Sequence, residues 1–197
     1  ADVDKAEKGG MTALMLASLE GHIAVVDALL AHEADVDKAE KGGMTALMLA
    51  ASKGDIAVVN ALIRAKANME MACEDGMTAL IIAASKGDIA MVNTLIRAEA
   101  KLDKEEQYGM TALMIASLKG HIAVVNALLA AEADVDKADK DGKTALMFAR
   151  AHGHDAVVNA LTWSGPGRRS IALSPDEPLS LRAPSIDSIF SSSTSFS

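Results

Sequence analysis

A glycine recurs every 33 residues along this 197-residue chain, at Gly10, Gly43, Gly76, Gly109 and Gly142. A threonine keeps the same step at Thr12, Thr45, Thr78, Thr111 and Thr144. Residues 1–17 return unchanged as residues 34–50. A fixed period of this size restricts the fold to a stack of one supersecondary unit, each copy burying its apolar face against its neighbours. The registers run 7–39, 40–72, 73–105, 106–138 and a terminal 139–163, and residues 1–6 read as the tail of a further unit. After Trp163 the pattern stops.

Each unit reads as two short helices and a polar loop. In the second unit Thr45 is placed to cap a first helix, ALMLAAS, which Gly54 ends. Asp55 then caps a second helix, IAVVNALIRA, with Ile56, Val59, Leu62 and Ile63 on one stripe. Asp88 repeats that role, and His22, His121 and His154 take the position elsewhere as weaker caps. The segment KANMEMACEDGM has no helical period and reads as an extended loop or hairpin. Neither helix reaches the roughly 12–15 residues that an isolated helix needs. Stability must therefore come from stacking. Aromatics are 3% and methionines number 11, so the core is built from Ala, Leu, Ile, Val and Met.

The pattern G-x-T-A-L-M-x-A, then G-[HD]-I-A-V-V-x-x-L-L, then x-A-x-V-D, resembles the ankyrin repeat over residues 1–163. The resemblance implies an all-α solenoid of stacked helix-turn-helix units with extended loops. It also implies a non-enzymatic module that recognises a partner protein on a concave face of loop tips and first helices. Three departures are systematic. The family's Pro is alanine at Ala13, Ala46, Ala79, Ala112 and Ala145. Its His is Met15, Met48, Ile81, Met114 and Met147, which fill the volume without the imidazole's hydrogen bonds. Its Gly after the second helix is Glu33, Lys66, Glu99 and Glu132. Where the backbone there is left-handed, each copy costs about 1 kcal/mol relative to glycine. The loops are therefore expected to be held less firmly than in the family pattern.

Mapping the implied face onto this chain gives a methionine row, Met11, Met44, Met77 and Met110, which Lys143 breaks. Glu74 and Tyr108 lie at loop tips, and Leu19 and Leu118 close first helices. Lys53, Lys86 and Lys119 edge the row. Thioethers suit adaptable apolar contact, and Tyr is enriched at hot spots. Met11, Leu19, Met44, Glu74, Met77, Tyr108, Met110, Leu118 and Lys143 are the candidate partner-binding set. The alternatives are a structural spacer whose face binds nothing, or the targeting arm of a larger protein or enzyme.

Other classes fall away. A net charge of -8 opposes nucleic-acid binding by phosphate neutralisation. No run of 18 apolar residues exists to span a membrane, and a cytoplasmic setting is expected. The lone Cys73 cannot form an internal disulfide, and its neighbours Glu74 and Asp75 oppose thiolate formation. The segment DVDKADKDG, residues 134–142, places Lys137 where a calcium loop needs its first ligand. His152 and His154, two apart, lack further metal ligands. No metal, cofactor or catalytic group is assigned. The recurring acids Asp35, Asp37 and Glu40, repeated as Asp134, Asp136 and Asp139, read as a solvated edge.

The two ends differ. Arg150 and Thr162 bring polarity where another unit would stack, and Trp163 is placed to fold over that end. The N-terminal unit is as apolar as the internal ones, so fraying, self-association or a missing upstream repeat is expected there. Residues 164–197 hold 11 serines and all four prolines and read as a disordered tail.

Overall fold

The structure is a computed structural model that describes residues 2–163, and the serine- and proline-rich tail lies outside the described residues. Ten helices follow one another among those residues. First helices are α1 (Ala13–Glu20), α3 (Ala46–Lys53), α5 (Ala79–Lys86), α7 (Ala112–Leu118) and α9 (Ala145–Ala151). They alternate with second helices α2 (Ile23–Ala31), α4 (Ile56–Arg64), α6 (Ile89–Arg97), α8 (Ile122–Ala130) and α10 (Asp155–Trp163). Isolated bridges, Ala39 to Thr45 and Ala138 to Thr144, close two of the loops without forming a sheet. The fold is an all-α helical repeat solenoid.

Local chemistry explains the helix limits. Thr12, Thr45, Thr78 and Thr111 are buried, and each hydroxyl accepts from the backbone N–H three residues on, at 3.3–3.4 Å. Gly21, Gly54 and Gly87 then end α1, α3 and α5 in the left-handed conformation. Asp55 Oδ1 accepts from Val58 N at 3.0 Å, and Asp88 Oδ1 from Met91 N at 3.0 Å, as the sequence predicts. His22 and His121 make no capping bond. The ring of His121 instead reaches Ser85 O at 3.3 Å, and that of His154 reaches Leu118 O at 3.0 Å. At this one position an aspartate serves its own helix, whereas these two histidines serve the first helix of the preceding unit.

Each first helix packs on the next first helix, and each second helix on the next second helix. The pairs also pack internally, so two layers enclose one continuous core. Comparing ends with interior shows which residues face which way. Ala46, Ala79 and Ala112 are at most 1% exposed, and Val58, Met91 and Val124 are fully covered. Their first-unit counterparts, Ala13 and Val25, are exposed. On the opposite side Ser18, Ala51, Ala84 and Ser117 are fully covered, while Arg150 is exposed. The hydroxyls of Ser18 and Ser117 have no hydrogen-bond partner, so the core tolerates two polar atoms there at a cost. Trp163 retains 58% of its surface exposed and does not close the C-terminal end.

The backbone is left-handed at Glu33, Lys66, Glu99 and Glu132, with φ of 59°, 65°, 64° and 65°. The condition attached to the missing glycines is therefore met at all four sites. Met15, Met48, Ile81 and Met114 are each 1% exposed and fill the space left by the family's histidine. Other groups hold the loops near these sites.

Candidate protein-interaction face

The loops between units are tight hairpins of fixed pattern. In the second, Glu40 N donates to Met44 O at 3.0 Å and Gly43 N to Glu40 O at 2.9 Å. The same pair of bonds closes the loops beginning at Glu7, Cys73, Glu106 and Asp139. A carboxylate then locks the turn from within. Glu106 Oε1 accepts from Tyr108 N at 2.8 Å and Met110 N at 3.0 Å. Asp139 Oδ1 accepts from Asp141 N at 3.0 Å and Lys143 N at 2.7 Å. Glu40 Oε1 accepts from Met44 N at 3.1 Å. Cys73 stands at this position in the third unit and supplies no carboxylate.

Hydrogen bonds also run from tip to tip. Lys41 N donates to Gly9 O at 3.0 Å, Glu74 N to Gly42 O at 2.9 Å, Gln107 N to Asp75 O at 2.9 Å, and Lys140 N to Tyr108 O at 3.0 Å. A second line lies at the far end of each unit. Asp4 Oδ1 accepts from Asp35 N at 2.9 Å, Asp37 Oδ1 from Asn68 N at 2.7 Å, Glu70 Oε1 from Lys101 N at 2.8 Å, and Asp103 Oδ1 from Asp134 N at 3.0 Å. The acidic edge is thus not merely solvated: its carboxylates satisfy backbone donors of the following unit. All of Asp4, Asp37, Glu70, Asp103 and Asp136 are acids at the 33-residue step, a signal the sequence carried.

The lysine edge is partly committed as well. Lys86 Nζ donates to Ser52 O. Lys119 Nζ donates to Ser85 O at 3.0 Å and Ser85 Oγ at 2.8 Å. Both ammonium groups thereby meet carbonyls at the C-terminal end of the preceding first helix, where the helix dipole favours a cation. Lys137 pairs with Glu105, and that bond raises the Lys137 pKa. The rings of His152 and His154 stack with centroids 6.2 Å apart, and His152 Nδ1 meets Phe148 O at 3.0 Å.

The candidate residues fall into two groups. Met11, Met44, Met77 and Met110 are half-buried and pack against the core. Leu19 and Leu118 are also half-buried, in the last turns of α1 and α7. Glu74, Lys143 and Tyr108 are exposed, Tyr108 with 64% of its surface open. The Tyr108 backbone is fixed on both sides, its N–H by Glu106 and its carbonyl by Lys140 N. Sequence reasoning missed Glu106, itself 9% exposed, although an acid recurs there at Glu7, Glu40 and Asp139.

The Glu40 carboxylate makes its loop sensitive to acid. Backbone N–H bonds from Gly42 and Met44 hold the Glu40 carboxyl below its usual pKa. A carboxyl depressed on folding adds stability above its unfolded pKa, and that stability is lost as pH falls through the depressed value. Glu40→Gln keeps an acceptor oxygen but cannot titrate. The variant should therefore lose less stability than the parent between neutral and acid pH. Urea midpoints measured across that range check this, and parallel pH curves for the two proteins would refute it.

Among the described residues no helix is long and apolar enough to cross a membrane. No curated protein matches the chain. The family model for ankyrin repeats does match it, over residues 1–72, 47–139 and 100–167. Such repeats are generally non-catalytic and generally serve as protein–protein interaction modules. With its stacked helix pairs, linked hairpins and three overlapping matches, the chain belongs to the ankyrin-repeat family.

Proposed function

We propose that the loop tips and first helices form a recognition face for a partner protein, centred on Tyr108. The carrying observation is a large aromatic ring exposed on a loop whose backbone is bonded on both sides. An aromatic side chain presented on an ordered backbone binds with little further loss of freedom. Met77, Met110 and Leu118 supply apolar surface around that centre, and Glu74 and Lys143 supply charge at the tips. Met11, Met44 and Leu19 extend the face toward the N-terminal end.

The half-buried methionines act as a floor here, because truncating them would disturb the core as well as the face. Tyr108 is the cleaner probe. Once a partner has been isolated, Tyr108→Ala should weaken its binding by more than ~1 kcal/mol while leaving the helical circular dichroism unchanged. Titration calorimetry of the two proteins measures the difference. Equal affinity would remove Tyr108 from the face and favour a spacer role for the stack.

A further inference from the structure

We propose that the groove between α4 and α6 binds an extended acidic segment of a partner protein, with carboxylates on Arg64 and Arg97 and an apolar side chain between them. The groove lies in the layer of second helices, so the proposal is independent of the face around Tyr108.

Ile56, Asn60 and Ile63, one turn apart along α4, form one wall. Thr94 and Arg97 of α6, with Ala98 just beyond it, form the other. The space between them is about 500 Å³, within the usual range for a ligand site. Asn60 and Arg97 are exposed and the other four are half-buried. Ile56 and Ile63 pack on the core, so the groove offers apolar surface with a cation in its wall.

The charge here departs from the repeat. Arg64 and Arg97 hold a position that is Ala31 in the first unit and Ala130 in the fourth. Lys66 holds one that is Glu33, Glu99 and Glu132 elsewhere. A chain of net charge -8 therefore carries three exposed cations close together in its central units. Among the described residues none of the three enters an ion pair. Glu99 follows Arg97 by two residues without pairing with it. Arg97 Nε donates to Asn93 O at 3.1 Å, which steadies the side chain and leaves the outer guanidinium nitrogens open. Lys86 and Lys119, by contrast, are spent on carbonyls of the protein itself.

The spacing fits an extended peptide. Arg64 and Arg97 stand in the same register of two packed helices, so they are one helix spacing apart, roughly 8–10 Å. Three residues of extended chain cover about 10 Å. A segment crossing both helices can therefore set one carboxylate on each guanidinium, in the geometry that arginine favours. Exposed ion pairs are individually weak, so the apolar side chain in the groove has to add to them.

The test is fluorescence anisotropy of the full chain with a labelled peptide carrying glutamate at every third residue and leucine between. The parent should bind it although both molecules are acidic. Arg64→Ala and Arg97→Ala should each weaken binding about threefold, and Arg64→Glu with Arg97→Glu at least about tenfold. Arg64→Lys with Arg97→Lys should retain most of it. Lys5→Glu with Lys41→Glu, which makes the same change in net charge elsewhere, should bind as the parent does. A peptide with serine for leucine should bind more weakly. Circular dichroism shows that each variant is folded. The proposal is overturned if the parent ignores the peptide, if the arginine reversals bind as the parent does, if the Lys5 and Lys41 reversals lose as much, or if serine for leucine changes nothing.

Discussion

Gly76→Ala should lower stability by about 3 kcal/mol, and Gly142→Ala by only about 1 kcal/mol. The two glycines share a backbone conformation, with φ of 78° and 79°. Their surroundings differ. A Cβ on Gly76 would lie 2.8 Å from Gln107 N and from Glu106 Cα, atoms of the next loop's backbone that cannot turn aside. A Cβ on Gly142 would meet nothing within 4 Å. The conformational cost is common to both, so the excess at Gly76 measures how closely successive loops approach. Gly43→Ala should follow Gly76→Ala, since its Cβ would lie 2.9 Å from Cys73 Cα. Urea unfolding followed by circular dichroism reads all three. Equal losses at Gly76 and Gly142 would mean that the loops do not meet as described.

The second large effect is a gain. Replacing Glu33, Lys66, Glu99 and Glu132 together by glycine should stabilise the protein by about 4 kcal/mol, near 1 kcal/mol per site. All four backbones are left-handed and all four side chains exposed, so glycine relieves strain without opening a cavity. The sites are 33 residues apart and share no partners, so their effects should add. A fourfold alanine variant separates the causes. Alanine removes the same charges but keeps the Cβ, and should give no such gain. A rise in both variants would trace the effect to charge and not to the backbone.

Those four residues show what the sequence made legible. A side chain standing where a glycine belongs is visible in the string, and so is its conformational consequence. The threonine caps and the Asp55 and Asp88 caps were legible for the same reason: donor and acceptor lie within one helical turn of each other. The bonds between units were not. Asp37 serves Asn68 N, 31 residues away, and Lys119 serves Ser85 O, 34 residues away. A backbone group left open by a distant turn has no letter of its own, so Asp37 reads as surface charge and Lys119 as a free edge. His154 is misread in the same way, because a capping position does not reveal that the first helix of the preceding unit offers an acceptor. The candidate face was legible only as rows. The string could not tell that the methionines sink into the core while Tyr108 stands clear of it.

The lines of hydrogen bonds at tips and loops have a mechanical consequence. Within one junction they act side by side and share a load. Successive junctions follow one another like links, so each carries the whole of it. A pull along the stack therefore does not stretch it uniformly. It opens one junction at a time, and every opening frees about 33 residues of slack, roughly 110–120 Å of chain. The turn that begins at Cys73 lacks the internal carboxylate, yet its bonds to the loops on either side are as short as the others. In tension this protein is a ratchet of equal steps.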